Sequence, residues 1–270
     1  MSFWENILRF LDLRMEQPVP YGWFHLVSFA LSILAAVGLC LFGKKDSPER
    51  VRAVVLGVAI VVALLEIYKQ INYSFSYENG IVFDYQWYIF PWQFCSTPMY
   101  IGLLAGLTKR GKFHDALCAY LATYAVFAGL SVMCYPTTVF TETIGINIQT
   151  MVCHGSMIFV GAYLFGSGHV KLEHKTILKA LPVFAFAVLA AVVMNEIAYQ
   201  AGLLETEDFN MFFVSPHSAP HLPVYSLVQG VVPFPWCLAL YILGFTAAAY
   251  LMLLGAMGIS KLAARKPVSV

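Results

Sequence analysis

Residues 22–42 read GWFHLVSFALSILAAVGLCLF, a run without a single Asp, Glu, Lys or Arg. A helix rising about 1.5 Å per residue needs about 20 apolar residues to cross a hydrocarbon core of about 30 Å. Working outward from this run, six further windows meet the requirement, at roughly 51–72, 86–107, 114–134, 148–167, 177–199 and 233–257. The composition agrees: 60% of the 270 residues are hydrophobic and 11% charged, against about 25% charged in a soluble domain. Disorder needs low hydrophobicity and high charge, and a nucleic-acid surface needs an excess of cations. A net charge of +1 supplies neither. The six cysteines show no regular spacing, which argues against a disulfide scaffold or zinc ribbon.

The fold class expected is an all-α membrane protein, a bundle of seven transmembrane helices over residues 21–270. Residues 1–20 precede it as an interfacial amphipathic helix. Phe3, Trp4, Ile7, Leu8, Leu11 and Met15 recur at helical spacing, and Glu5, Arg9, Asp12 and Glu16 fall on other faces. Pro18 and Pro20 end that helix. The window at 86–107 holds Pro91, Gln93, Cys95 and Pro98, so a kinked helix is expected there.

Charge asymmetry orients the spans. Lys44, Lys45, Arg50 and Arg52 follow the first, Lys109, Arg110 and Lys112 the third, and Lys171 and Lys175 the fifth; Lys261, Arg265 and Lys266 lie in the tail. The alternate loops carry Glu78 and Asp84, then Glu142, then Glu205, Glu207 and Asp208. The positive-inside rule puts the N-terminus outside or in a lumen and the C-terminus in the cytoplasm; Arg9 and Arg14 run against it. Residues 200–232 read as an ordered outer cap or lid, and no internal repeat suggests a transporter.

Ionisable and polar groups inside a span are costly and carry a functional hypothesis. The candidates are Glu66 and Lys69 on the second span, Gln93 and Cys95 on the third, His154 on the fifth, and Asn195 and Glu196 on the sixth. With these orientations all lie in the outer half, Cys95 about 14 Å and His154 about 9 Å below the outer boundary. A thiol and an imidazole at similar depth supply a nucleophile and a base. Cys40, Cys118, Cys134, Cys153 and Cys237 read as packing residues. Glu66 and Lys69 stand at i, i+3, as an ion pair, or with Glu66 orienting His154 or meeting a lipid headgroup. Asn195 and Glu196 cannot share a face. His114, His169 and His174 read as cytoplasmic loop or helix-end residues. His217 and His221 lack a third ligand, so no metal is expected.

These motifs also carry a resemblance. Pro91-Trp92-Gln93-Phe94-Cys95-Ser96 is a Pro-x-x-x-Cys element, His154-Gly155 follows about sixty residues later, then Phe209-Asn210-Met211-Phe212-Phe213 with Pro216, and finally Pro235-Trp236. In order and placement they resemble the YwaF and transmembrane protein 164 family, from about residue 25 to 257. Phe209 and Cys237 depart from the family pattern. The resemblance implies a cysteine-dependent acyltransferase, or an acyl hydrolase if water resolves the thioester, acting on phospholipid or lysophospholipid, with an architecture similar to the androgen-induced membrane lipid hydrolases. It makes Cys95 the acyl-accepting nucleophile and His154 the general base. Gln93, Glu66, Asn195 and Asn210 are then expected to bind substrate, with no cofactor. The alternative, from the polar cluster alone, is a transporter or receptor-like binding protein with an intramembrane pocket.

Overall fold

The computed structural model describes residues 3–77, 80–202, 209–219, 222 and 225–264. Glu78, Glu205, Glu207, Asp208, His221, Arg265 and Lys266 lie outside them. The chain is mostly helical: α1 (Phe3–Leu11), α2 (Trp23–Phe42), α3 (Pro48–Asn72), α4 (Thr97–Leu107), α5 (Lys112–Tyr120), α6 (Val126–Cys134), α7 (Ile144–Gly166), α8 (Lys175–Gln200) and α9 (Phe234–Ala264). A π turn, Leu121–Ala125, joins α5 to α6 in one rod. After α3 a short hairpin, β1 (Phe75–Ser76) with β2 (Val82–Phe83), pairs antiparallel with Phe75 opposite Phe83.

Six helices are long and apolar enough to cross a membrane. The remaining one of the seven expected spans, the third at 86–107, is not one helix. A 3₁₀ turn covers Trp87–Ile89, the chain then runs irregularly, and α4 begins only at Thr97. Its 11 residues reach about 16 Å, half the hydrocarbon thickness. The prolines explain the break. Pro91 has no N–H to give a helical ladder, whereas Pro98 sits in the first turn of α4, where the missing donor costs nothing. The carbonyl of Gln93 instead accepts from the N–H groups of Ser96 (2.9 Å) and Thr97 (3.0 Å).

Local chemistry sets the other boundaries. The Ser47 side chain caps α3 by accepting from Arg50 N–H at 3.3 Å, with Pro48 in the first turn. Gly102 and Gly106 on α4 form a G-x-x-x-G face against α3; a Cβ would stand 3.0 Å from the Ala59 Cβ at the first and clash with Leu56 at the second. Buried α7 packs against α2, α3 and α6 at the centre of the bundle.

None of the side chains of α1 is buried, and Phe3, Trp4 and Phe10 are exposed. Its end is tied down: Leu11 O accepts from Tyr68 Oη (2.7 Å) and Asn72 Nδ2 (3.3 Å). Met15 N–H donates to Glu142 O at 2.7 Å, and Ile144 N–H to Leu13 O at 2.9 Å. The N-terminal segment, the C-terminal end of α3 and the N-terminal end of α7 therefore share one face of the bundle.

Candidate functional site

Cys95 lies in the irregular stretch between the two prolines and is half-buried. It lines a cavity of about 30 Å³ with Val55, Val62, Met99, Cys153 and Met157. Leu121 and Ala125, the two ends of the π turn, also face this cavity; such turns recur where a helix must re-aim side chains at a functional site. Met99 also borders a larger open pocket of about 520 Å³, with Glu66, Gln70, Pro91, Tyr100 and Leu103 around it.

His154 is 7% exposed. Its Nδ1 lies 2.8 Å from Thr150 O. A carbonyl only accepts, so Nδ1 carries the proton and Nε2 presents its lone pair, the tautomer a general base requires. Among the described residues no hydrogen bond joins Cys95 to His154. The residue of α7 that meets Cys95 is Cys153, whose thiol donates to Cys95 O at 3.6 Å. His154 is the next position along α7, about 100° further around it.

Glu66 is buried and fully engaged. One oxygen takes Lys69 Nζ (2.8 Å) and Gln70 Nε2 (2.8 Å), and the other takes Gln149 Nε2 from α7 (3.2 Å). Gln70 carries the network outward, donating to Ile89 O at 2.9 Å and accepting from Tyr85 Oη at 2.6 Å. Of the readings open for Glu66 and Lys69, the geometry is the ion pair. Sequence reasoning passed over Gln149, although its type and depth on α7 match the other candidates.

Gln93, Asn195 and Asn210 meet on a buried segment of the connection between α8 and α9. Gln93 donates from Nε2 to Asn210 O (3.1 Å) and accepts Phe212 N–H at Oε1 (2.9 Å). Asn195 binds Met211 through both its amide atoms, and Asn210 Oδ1 accepts Ser215 N–H at 2.9 Å. Tyr241 Oη donates to Phe212 O at 2.9 Å. Met211 and Phe212 are fully buried, and Phe212 stacks on Phe94 with ring centroids 5.6 Å apart. The described part of this stretch, around Met211 and Phe212, is a buried plug beside the Cys95 break. Phe212 and Phe213 both hold φ of 57°, a left-handed conformation that costs a non-glycine residue about 1–2 kcal/mol; the amide clamps hold it. Glu196 points away from Asn195 and meets His217 at 2.8 Å, whose ring stacks on Tyr199 at 3.6 Å.

A second polar group lies at the opposite end of the bundle. His114 and Cys118 on α5 and His169 after α7 bring their ligand atoms within 4.8 Å of one another. His114 is a helix-end residue, in the first turn of α5, and it is buried. Burial, then the neighbouring His114, pushes the His169 imidazole below its ordinary range. The i, i+4 spacing of His114 and Cys118 was the local signal for this group.

The fold and the site define a multi-pass α-helical membrane protein with a cysteine set at a break in its bundle. The chain belongs to the TMEM164 family, whose model matches residues 20–254. No curated protein and no solved structure matches the chain.

Proposed function

We infer that the chain is a lipid acyltransferase that carries its acyl group on Cys95. The observation behind this reading is the position of Cys95. It stands on a non-helical, proline-bracketed break, against an apolar cavity separated by Met99 from the open pocket beside α3 and α4. A donor phospholipid enters through that pocket. His154 Nε2 takes the Cys95 proton and the thiolate attacks the ester carbonyl. A C–S bond forms, the C–O bond breaks, and the departing lysolipid oxygen recovers the proton from His154. In the second half the hydroxyl of a lysophospholipid attacks the thioester, giving its proton to His154. The C–S bond then breaks and the thiolate is reprotonated.

Catalytic hydrogen bonds are often open in a resting enzyme and close when substrate binds. The lipid-bound state therefore brings the Cys95 side chain and the His154 ring together. Gln93, Asn195 and Asn210 act as positioning residues, holding the plug against the break. In this reading, which the distribution of basic loops supports, the N-terminus is outside, Cys95 works in the outer leaflet and α1 lies in the interface. A charge-recognising transporter or receptor is less well supported, because Glu66 already satisfies Lys69 within the bundle.

The test is intact-protein mass spectrometry after incubation with a phospholipid donor in detergent. One acyl mass that maps to Cys95, is released by hydroxylamine and vanishes in Cys95→Ala is expected, with its rate much reduced in His154→Ala. A Cys95→Ser protein with full turnover overturns the mechanism.

A further inference from the structure

We propose that His114, Cys118 and His169 form a binding site for a zinc-class divalent cation at the end of the bundle opposite the Cys95 break. Three ligand atoms converge on one point. His114 Nε2 lies 2.8 Å from His169 Nε2 and 3.4 Å from Cys118 Sγ. The His114 Nδ1 lies 3.0 Å from Ala105 O, with Thr108 Oγ1 at 3.4 Å. A carbonyl accepts only, so Nδ1 holds the ring proton and Nε2 holds a single lone pair. Without a metal, the His169 N–H and the Cys118 S–H compete for that one lone pair. With a metal, all three atoms become ligands and the competition ends. The His114 contact to Ala105 O is then the outer-shell hydrogen bond that metal-ligating histidines make through their other nitrogen.

The geometry is near what a tetrahedral ion requires. Metal–nitrogen bonds of about 2.0–2.1 Å and a metal–sulfur bond of about 2.3 Å put two nitrogens about 3.4 Å apart and sulfur about 3.5 Å from each. The sulfur already stands at 3.4 Å from His114 Nε2. The two nitrogens must open by about 0.5 Å, and His169 can supply that movement from its connection between α7 and α8. The two imidazoles already cross at 81°. His114 and Cys118 are buried whereas His169 is half-exposed, which leaves a path of entry and a fourth position for water.

Electrostatics select the ion. Arg52, Arg110 and Asp115 act on the site. One carboxylate against two guanidinium groups gives no field for a hard cation such as calcium or magnesium, which also need oxygen ligands. A cation that binds thiolate and imidazole brings its own compensation, because it deprotonates Cys118. The bound ion would fasten the α7–α8 connection to α5, and through His114 to the end of α4.

The experiment is a Co²⁺ titration of the purified full-length protein in detergent, metal-stripped and free of any polyhistidine tag. Saturation at one equivalent is expected, with intense ligand-field bands of tetrahedral coordination and a sulfur-to-cobalt charge-transfer band, both displaced by Zn²⁺. Cys118→Ser loses the charge-transfer band. His169→Ala, at a half-exposed position that folding tolerates, weakens Co²⁺ binding at least about tenfold. His217→Ala at the other end changes nothing. In parallel, Zn²⁺ raises the Tm of the wild type and not of His169→Ala. Absence of saturable bands, or bands that persist unchanged in both Cys118→Ser and His169→Ala, overturns the proposal and leaves a histidine–histidine hydrogen bond only.

Discussion

Asn195 on α8 binds both backbone polar groups of Met211. Its Oδ1 accepts Met211 N–H at 2.7 Å and its Nδ2 donates to Met211 O at 3.0 Å. Both residues are wholly buried. One side chain thereby does for an irregular backbone what a neighbouring strand would do. Asn195→Ala orphans the buried Met211 N–H, at about 1–3 kcal/mol, and leaves Met211 O with only the long contact from Val214 N–H at 3.4 Å. We expect a large fall in detergent Tm and faster proteolysis around residues 209–219. Asn195→Asp keeps the acceptor and should fall between. An Asn195→Ala protein with unchanged Tm would show that the plug is held elsewhere.

Glu66 and Lys69 form the second testable relationship. Removing one member of a buried ion pair leaves the other charge uncompensated, at about 3–5 kcal/mol. Glu66→Gln and Lys69→Met should each be strongly destabilising. The double variant Glu66→Gln with Lys69→Met should cost less than the sum of its singles, by more than about 0.5 kcal/mol. Strict additivity in urea unfolding would argue that the two charges are independent in solution.

Cys95 and Cys153 touch, so they make an internal control. Cys153→Ala should retain acyl-adduct formation because its thiol only donates to Cys95 O. Cys95→Ala should abolish it. Val58 lines the same cavity and is only half-buried, so Val58→Phe should fold. It should slow labelling by a long acyl probe while sparing a small maleimide. Equal loss with both reagents would mean that the cavity does not receive the chain.

Tyr225, in the connection before α9, gives a pH signature. Burial, followed by the nearby Cys237, pushes its phenol up to about 12, from about 10 in an unfolded chain. The folded state thus holds the proton longer. That contribution is complete below about pH 10 and is lost as the pH climbs from 10 to 12. Its hydroxyl is buried without a hydrogen-bond partner among the described residues. Tyr225→Phe should therefore be neutral or slightly stabilising at pH 8, and should flatten the alkaline limb of a Tm–pH curve. A Tm drop of several degrees at pH 8 would reveal a partner for the hydroxyl.

The long spans were legible because twenty apolar residues in a row have few other uses. The helix expected at 86–107 was not, because an average over that window hides what two prolines do to the hydrogen-bond ladder. Those same prolines did mark the break that carries Cys95. The Phe209–Ser215 plug was illegible as a buried segment. Its burial depends on amides from Gln93 and Asn195, one of them over a hundred residues away. Asn195 and Glu196 divided between inside and outside as adjacent helical positions must. His114 was legible as a helix-end residue, but its pairing with His169 was not, because that partner belongs to a distant connection.

The π turn at Leu121–Ala125 has a consequence for the phase of its rod. One extra residue in a helix rotates everything beyond it by about 100°. The half before the turn aims His114 and Cys118 at one end of the bundle, and the half after it lays Gly129 against the backbone of His154. Deleting a single residue there would restore a regular helix and leave the composition of the membrane segment almost unchanged. It would also unclock the two ends, so that either the thiol site or the histidine cluster could keep its alignment, but not both.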